Sequence, residues 1–409
     1  MNCHVTSPSH PVRLSVPLPA SKSISNRVLI LNALSGNKYP VLNLADCDDT
    51  AVLQQALTSA ACNFDIKAAG TAMRFLTAYL SITEGNWTIT GTERMKNRPI
   101  RILADALNAL GAHIEYMEKE GYPPLRISGR PLRGGEIALA GNVSSQYLSA
   151  LLMIAPLTDA GLTLRPQGTL ISKPYIDLTL QLMEQFGVKA DRQEQSICIP
   201  PQKYTPVPFT VESDWSAASY WYEIAALSKG SEIELTGLFK HSLQGDAAVA
   251  RLFTRLGVET IFTDAGTLLR HTGNTCQTFE YDFINEPDLA QTLAATCAAL
   301  NIPFRLTGLQ SLKIKETDRM EALKTELCKL GFPLSDSNGD TLQWDGEHCS
   351  QEACPLIATY EDHRMAMSFA PFALSRPEGI AIADPEVVTK SYPAYWEALR
   401  SAGFTLTTA

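Results

Sequence analysis

The sequence lacks the short motifs typical of the commonest nucleotide, dinucleotide and metal chemistries. It has no GxxxxGKS or GxxxxGKT loop, no GxGxxG after a strand, no HExxH and no GxSxG. These absences argue against nucleotide hydrolysis, dinucleotide redox chemistry and zinc-dependent hydrolysis. Nine cysteines are scattered without a CxxC pair or a His/Cys spacing typical of a metal site. We therefore expect ordinary thiols in a reducing compartment, and no bound metal.

Long apolar runs and an excess of positive charge are also missing. No apolar run approaches the length of a membrane span, and the N-terminal residues lack the apolar region of a signal peptide. We therefore expect a cytoplasmic protein with no membrane partner. The formal net charge of -9 argues against nucleic-acid binding. A length of 409 residues with 45% hydrophobic content predicts roughly two or three globular domains.

A short cationic stretch, residues 19–27 (PASKSISNR), precedes an apolar helical pattern at residues 28–31. Proline and small hydroxyl residues before such a pattern predict a helix N-terminus. Lys22 and Arg27 add positive charge to the end of the helix dipole that is already positive. This arrangement favours a bound phosphate or carboxylate. The alternative is a solvated basic turn.

Similar polar residues precede predicted helices along the chain, and they recur with a long period. Apolar segments begin near residues 21, 70, 144, 214, 287 and 362, with steps of 49, 74, 70, 73 and 75 residues. Amphipathic helices are predicted to end at Gly111, Gly187, Gly257, Gly331 and Gly403. The pattern predicts one supersecondary unit used about six times, which is longer than the roughly 20–50 residues of a solenoid repeat. Segments near 14–20 and 200–211 are candidate interdomain strands.

Two further motifs combine acids and bases before apolar helices. Residues 315–319 (KETDR) place Lys315 and Arg319 four apart, and a salt-bridged surface turn is their simplest interpretation. Asp362 precedes Arg364 at the start of a nearly uncharged helix. Helix capping explains Asp362 but not Arg364. Together these patterns indicate a repeat-built α/β protein of two bodies that binds a polyanionic small molecule where helix starts converge.

These ordered motifs resemble, over nearly the whole chain, those of the 5-enolpyruvylshikimate-3-phosphate synthase family. The matching segments are PASKSISNR at 19–27, AGTAMR at 69–74, RMKNRPI at 94–100, YPPL at 122–125, VSSQYLSALLM at 143–153, SKPYIDLTL at 172–180, KETDR at 315–319, DHRMAM at 362–367 and the turn at Lys390. The resemblance implies an α/β fold of two lobes, each with three βαβαββ units, joined by two crossing strands. Lobe I would comprise residues 1–19 plus 213–409, on the phosphoenolpyruvate side. Lobe II would comprise residues 20–212, on the shikimate 3-phosphate side.

The implied reaction transfers the enolpyruvyl group of phosphoenolpyruvate to the 5-hydroxyl of shikimate 3-phosphate and releases phosphate, a step of aromatic amino-acid and chorismate biosynthesis. The resemblance implies no cofactor or metal and a monomeric enzyme. Implied catalytic residues are Asp288, Glu316 and Lys22. Implied shikimate 3-phosphate ligands are Lys22, Ser23, Arg27, Ser144, Ser145, Gln146, Ser172, Tyr175, Asp288 and Lys315. Implied phosphoenolpyruvate ligands are Lys22, Gly70, Arg98, Gln146, Arg319, Arg364 and Lys390.

Three positions depart from the family pattern, and two alternatives stay open. Ala68 and Ser311 stand where the family commonly has Asn, and Phe75 stands where Pro is frequent. One alternative is the sister enolpyruvyl transferase acting on UDP-N-acetylglucosamine. Its mobile loop usually carries a reactive Cys, whereas no Cys lies between Cys62 and Cys198 here. The other is a non-catalytic binder of shikimate 3-phosphate, for which a proton relay would be superfluous.

Overall fold

The computed structural model describes residues 2–168 and 170–408, and the chain folds as two compact units. Unit 1 consists of Met1–Pro19 and Glu212–Ala409, and unit 2 of Ala20–Val211. Residues 1 and 409, which belong to the predicted lobe I, lie outside the described residues. The chain thus passes from one unit to the other twice, after Pro19 and after Val211.

The strands are short and alternate with helices along the chain. In chain order they are β1 Asn2–Thr6, β2 Arg13–Pro17, β3 Val41–Leu42, β4 Asn63–Asp65, β5 Gly85–Thr90, β6 His113–Tyr116, β7 Leu125–Gly129, β8 Gly135–Ala140, β9 Leu162–Gln167, β10 Asp191–Gln193, β11 Ser196–Ile199, β12 Phe209–Thr210, β13 Glu232–Thr236, β14 Leu256–Phe262, β15 Gly266–Thr275, β16 Phe279–Asp282, β17 Phe304–Thr307, β18 Ser335–Ser337, β19 Thr341–Trp344, β20 Leu356–Ile357, β21 Ile380–Ala383 and β22 Thr405–Thr408.

The α-helices are α1 Lys22–Leu34, α2 Asp48–Thr58, α3 Gly70–Ile82, α4 Glu93–Lys96, α5 Arg101–Ala109, α6 Ser145–Ile154, α7 Lys173–Gln185, α8 Trp215–Leu227, α9 Val249–Thr254, α10 Ala290–Ala299, α11 Arg319–Lys329, α12 His363–Phe369 and α13 Tyr395–Ser401. Short 3₁₀ segments cover Ala155–Leu157, Gly245–Ala248, Pro287–Leu289, Gln310–Ile314, Ala370–Ser375 and Pro385–Lys390. Every helix in the part of the chain that the structure describes is too short or too polar to span a bilayer.

Five four-stranded sheets in the described residues share one topology. In unit 2, β4 and β5 are parallel across α3, and β7 lies antiparallel between β5 and β6. This gives the order β4-β5-β7-β6, and β8-β9-β11-β10 repeats it. Unit 1 contains β2-β13-β15-β14, β16-β17-β19-β18 and β20-β21-β1-β22. The sheets β4–β7, β8–β11 and β16–β19 are continuous βαβαββ units, whereas the other two take β2 and β1 from the N-terminal residues. This arrangement confirms the predicted α/β fold.

The sixth unit is smaller. It holds α1 and α2, but its sheet is only the parallel pair of β12 and β3. α2 is followed directly by β4 of the next sheet, so the two strands that complete each of the other sheets are missing. Their absence explains why the first step of the repeat is 49 residues and the others are longer.

The last strand before each change of unit pairs within the unit that precedes the change. β2 immediately precedes α1 in the chain, yet it pairs in parallel with β13 of unit 1. β12 precedes α8, yet it pairs with β3 of unit 2. The two strands that were expected to connect the lobes therefore complete sheets of the unit that the chain is leaving.

A glycine follows the second helix of each repeat that has a four-stranded sheet. Each of the five lies two or three residues after its helix and has a left-handed backbone, with φ of 107°, 85°, 83°, 98° and 90° at Gly111, Gly187, Gly257, Gly331 and Gly403. A residue with a Cβ adopts this conformation at a cost, which is why glycine is preferred just past a helix. The predicted helix ends are confirmed.

The first α-helix of each repeat lies in the core of the unit that contains it. In unit 1, α8, α10 and α12 are buried almost all round, and a chain of hydroxyls joins them: Ser219 to Thr292 at 3.1 Å, and Thr292 to Ser368 at 3.2 Å. Each of these hydroxyls lies about one turn after its helical segment begins. Corresponding turns are thus in contact, so the polar residues at the three helix starts of unit 1 lie at one end of its core.

Candidate functional site

Asp288 is the centre of a cluster of charges in unit 1. It lies in the 3₁₀ turn before α10, and its carboxylate is 2.9 Å from Arg319 Nη1, 3.0 Å from Arg364 Nη2 and 3.4 Å from Lys315 Nζ. Burial alone would raise the pKa of Asp288, but Arg364, Lys315 and Arg319 outweigh it and hold that pKa well below its usual range. The carboxylate is therefore ionised and has the form of a proton acceptor.

Arg319 ties the cluster together. Its side chain is 1% exposed and donates to three carboxylates: Asp288, Glu316 at 3.0 Å, and Asp362 at 2.7 and 3.3 Å. Burial would lower the pKa of Arg319, whereas the three carboxylates raise it above the ordinary value. Glu316 also pairs with Lys390 Nζ at 3.1 Å. A buried guanidinium with this set of partners excludes the interpretation of KETDR as a surface turn.

Most of the KETDR motif lies outside a helix. A 3₁₀ segment ends at Ile314, and α11 begins only at Arg319. Asp318 caps α11 by accepting from the N–H groups of Met320 at 3.1 Å and Glu321 at 3.2 Å. Residues 315–318 therefore lie in an irregular turn ahead of the helix. An irregular turn allows neighbouring side chains of the motif to point at the same ions.

The structure brings together all six residues that the sequence predicted in unit 1. These are Asp288, Lys315, Glu316, Arg319, Arg364 and Lys390. Asp362, which was interpreted only as a cap, does cap Arg364 N at 2.9 Å but also neutralises Arg319. The four cations are thus accompanied by three carboxylates.

Two members of this region were missed by sequence reasoning. Asp246 is buried, accepts a hydrogen bond from Ser216, and lies within the field of Asp288 and Arg364. Burial and then the charge of Asp288 raise the pKa of Asp246 to about 7. The Tyr220 hydroxyl accepts from Arg364 Nη1 at 3.3 Å. Neither gave a usable signal, because Tyr220 sits in an apolar helix and Asp246 in an unremarkable turn.

In unit 2, two arginines flank the start of α3. A Cβ added to Gly70 would lie 2.5 Å from Arg98 Nη1 and 2.6 Å from Arg74 Nη1, so glycine allows both guanidinium groups to approach the backbone. Ala69, the cap residue, offers no side-chain acceptor to the helix. Arg98 Nε is buried and has no hydrogen-bond partner among residues 2–168 and 170–408. An uncapped helix N-terminus beside such a cation suits a phosphate or carboxylate.

The start of α1 holds the second cationic group of unit 2. Lys22 is the first residue of α1, and its Nζ lies 3.9 Å from the carboxylate of Asp49, a residue that the sequence did not single out. Ser21 caps the helix through Ile24 N at 3.4 Å. The carbonyl of Ser23 accepts from Arg27 Nη1 at 2.9 Å.

Arg27 is buried and bonded within the protein. Its Nε donates to Thr179 at 2.7 Å, and its Nη2 donates to Ser149 at 3.2 Å and to the carbonyl of Tyr175 at 3.4 Å. Burial lowers the pKa of Arg27 to about 10. These contacts join α1, α6 and α7, so the observed role of Arg27 is to hold three helices of the unit together.

The starts of α6 and α3 are linked by a side-chain contact. Gln146 Nε2 donates to Thr71 Oγ1 at 3.2 Å, while Ser144 Oγ accepts from Gln146 N at 3.4 Å. Ser172 precedes α7 with a left-handed φ of 54°, and Ser145 is buried in the first turn of α6. No hydrogen bond of the described residues connects the Ser145 or Ser172 side chains to these groups. Nor does the described part of the chain bring three His, Cys, Asp or Glu side chains into an arrangement for a metal ion.

The family pattern and the similar sequences that match this chain all belong to one enzyme family. The pattern of the EPSP synthase (3-phosphoshikimate 1-carboxyvinyltransferase) family matches residues 52–399. The 3-phosphoshikimate 1-carboxyvinyltransferase of Bacteroides fragilis strain YCH46 is 61% identical over 394 residues, 96% of each chain. That of Vibrio cholerae serotype O1 strain M66-2 is 38% identical over 411 residues, covering 93% of this chain and 95% of the relative.

Solved structures agree in fold. EPSP synthase from Acinetobacter baumannii matches with a TM-score of 0.81 at 21% identity, over 100% of both chains. The enolpyruvyl transferase NikO from Streptomyces tendae matches with a TM-score of 0.74 at 16% identity, over 100% of this chain and 99% of that one. With the identities above, the chain belongs to the EPSP synthase (3-phosphoshikimate 1-carboxyvinyltransferase) family.

Proposed function

We propose that this chain carries out the reaction of its family with Asp288 as the base, transferring the enolpyruvyl group of phosphoenolpyruvate to the 5-hydroxyl of shikimate 3-phosphate and releasing phosphate. The observation that carries the assignment is an ionised carboxylate within 3.4 Å of Lys315, Arg319 and Arg364. A secondary hydroxyl is a poor nucleophile and needs a base within hydrogen-bond reach. Both substrates are anions, for which clustered cations are suitable ligands.

The ligand assignments follow the two sets of side chains. Shikimate 3-phosphate would be held by Lys22, Ser23, Arg27, Ser144, Ser145, Gln146, Ser172, Tyr175, Asp288 and Lys315. Phosphoenolpyruvate would be held by Lys22, Gly70, Arg98, Gln146, Arg319, Arg364 and Lys390. Residues 20–212 would thus supply eight of the ten contacts to the first substrate and four of the seven to the second, and residues 213–409 would supply the others. The role of Arg98 is supported by the position of its Nη1 against the backbone of Gly70, at the uncapped start of α3.

In the proposed reaction Asp288 acts as a base although its pKa is lowered in the absence of substrates. A carboxylate held by three cations is a weak proton acceptor. When the anionic substrates bind to Lys315 and Arg364, they share the positive charge that now depresses the pKa of Asp288. Substrate binding would therefore raise the basicity of Asp288 at the moment when it is needed.

The remaining steps assign roles to Glu316 and the lysines. As Asp288 takes the hydroxyl proton, the oxygen bonds to C2 of phosphoenolpyruvate and the enol methylene gains a proton. Loss of that proton as phosphate leaves restores the double bond. The Lys390 ammonium, 3.1 Å from the Glu316 carboxylate, would supply this proton through Glu316, and Glu316 would take a methyl proton back as phosphate leaves. Lys22 and the other cations would offset the charge of the tetrahedral intermediate.

One assay separates this function from its alternatives. Phosphate release should require both phosphoenolpyruvate and shikimate 3-phosphate. Release with UDP-N-acetylglucosamine instead would favour the sister transferase, and binding without release would favour a non-catalytic protein. We also propose a monomer located in the cytoplasm. Light scattering on the purified chain, at about 45 or 89 kDa, distinguishes a monomer from a dimer of 44.6 kDa chains.

A further inference from the structure

The carboxylate of Glu326 is a buried group that the proposed reaction does not use. Its side chain, on α11, is 0% exposed. One oxygen accepts from the Tyr360 hydroxyl at 2.6 Å, and the other accepts from Ala358 N at 3.1 Å and Lys329 Nζ at 2.6 Å. A buried carboxylate with this many donors is costly to disturb, because each donor would lose its acceptor.

These contacts hold the segment of chain that leads into α12. At the C-terminal end of α11, Lys329 Nζ also donates to the carbonyl of Leu356 at 2.9 Å. At the N-terminal end, Arg319 donates to Asp362. The two ends are separated by about 15 Å of helix, at 1.5 Å per residue. The segment therefore lies along α11, and Glu326 provides the central attachment.

The attached segment has an unusual backbone. Tyr360 and Glu361 are consecutive non-glycine residues with φ of 54° and 55°. Such residues cost energy in the left-handed region and stay there only when their surroundings hold them. Asp362 follows directly. Releasing Tyr360 and Ala358 would let the pair return to ordinary φ values, and Asp362 would move with it.

Asp362 transmits this geometry to two guanidinium groups. Its carboxylate orients Arg319 and caps α12 at Arg364 N, 2.9 Å away. We propose that Glu326 is a positioning residue for phosphoenolpyruvate, acting through the Tyr360–Glu361 turn on Arg319 and Arg364. The inference rests on the proposed function, in which those two arginines bind that substrate.

Glu326→Gln is the direct test. The amide keeps the size of the side chain but loses the negative charge and one acceptor oxygen, so the charge-assisted bonds from Tyr360 and Lys329 are lost or weakened. Glu321→Gln is the matched control, because Glu321 lies on the same helix, is 56% exposed and pairs with Lys324 at 2.9 Å in a surface salt bridge. The measurements are kcat, KM for each substrate, melting temperature, and hydrogen exchange of the segment 356–369 without substrates.

We expect Glu326→Gln to accelerate exchange in that segment and to raise KM for phosphoenolpyruvate roughly tenfold, a free-energy change typical of one lost hydrogen bond to a charged group. KM for shikimate 3-phosphate should stay within about twofold. Tyr360→Phe, which removes a single hydroxyl, should change the same quantities in the same direction but less. This variant keeps the test decisive if Glu326→Gln folds poorly.

Three results would overturn the proposal: unchanged exchange, equal changes in both KM values, or the same response from Glu321→Gln. A parallel Arg364→Lys variant separates this failure from failure of the proposed function. If Arg364→Lys raises KM for phosphoenolpyruvate and Glu326→Gln does not, positioning by Glu326 is refuted. If Arg364→Lys leaves that KM unchanged, the role of Arg364 itself is refuted.

Discussion

Each predicted cation of unit 1 lies beside a carboxylate. In unit 2 Lys22 is also near one, 3.9 Å from Asp49, but the two predicted arginines are held differently. In unit 1, Arg319, Arg364, Lys315 and Lys390 each lie within 3.4 Å of a carboxylate. In unit 2, Arg27 is bonded to hydroxyls and carbonyls, and Arg98 Nε has no hydrogen-bond partner among the described residues. Buried ion pairs compensate one another and must stay complete, whereas a cation among neutral groups keeps its full charge for an incoming anion. Unit 1 therefore combines structure with chemistry, and the Arg98 region of unit 2 is suited to receive an anion.

The largest effect is expected at Asp288, the centre of the unit 1 cluster. Asp288→Asn keeps the shape and most hydrogen bonds but cannot accept a proton. If Asp288 is the base, kcat should fall by roughly 10²–10⁴. Affinity for shikimate 3-phosphate should change no more than about tenfold. Phosphate release and melting temperature measured on one preparation test this, and near-wild-type turnover with a small loss of stability would leave only a structural role.

Replacing one arginine in each unit tests whether unit 1 needs its arginine for stability and unit 2 needs its arginine for binding. Arg319→Gln leaves Asp362 and Glu316 without their main cation, and we expect a loss of about 3–5 kcal/mol, or a melting temperature lower by the order of 10 °C. Arg98→Gln removes a cation whose Nε has no described partner. Its melting temperature should stay within a few degrees of wild type, while KM for phosphoenolpyruvate rises. Equal stability losses would mean that both arginines are structural.

Adding a methyl group at Gly70 should weaken the anion site of unit 2 without unfolding it. The Cβ would lie 2.5 Å from Arg98 Nη1, closer than real Cβ contacts come, so the flexible guanidinium must move. We expect Gly70→Ala to raise KM for phosphoenolpyruvate by about tenfold, or 1.4 kcal/mol. Steady-state kinetics with each substrate varied would check this, and an unchanged KM for phosphoenolpyruvate would show that the position of Arg98 is uncritical.

The smallest expected effect is a pH-dependent gain of stability at Asp246. Because burial and Asp288 raise the pKa of Asp246 to about 7, the folded state holds this proton more tightly than the unfolded chain. Stability is therefore lost as pH rises from the unfolded value of about 4 through 7. Asp246→Asn is always neutral and should gain a few degrees in melting temperature relative to wild type between pH 5 and 8. The exposed Asp264→Asn variant is the control; a parallel trend there would contradict the assignment.

The sequence was informative wherever function and local structure use the same residues. Polar helix starts and terminal glycines predicted the repeat, and the structure has helices at all six starts. Asp362 and Arg364 were singled out because charged groups next to an apolar helix are anchored at the end of a buried element, and the structure buries both. Local pattern was misleading for residues 315–319, whose simplest interpretation was a salt-bridged surface turn. The structure instead buries Arg319 among three carboxylates.

By itself, then, the sequence determined the repeated α/β units, their helix boundaries and the family, because these depend on periodicity, capping and ordered motifs along the chain. Only the tertiary structure decided which carboxylate neutralises which cation, that Arg27 is occupied by neutral partners, and that Asp246 and Tyr220 belong beside Asp288 and Arg364. Contacts such as Arg364 with Asp288 join residues 76 apart in the chain. Nothing in local sequence encodes them, since they arise when separate buried helices pack and desolvation forces their polar ends to find partners.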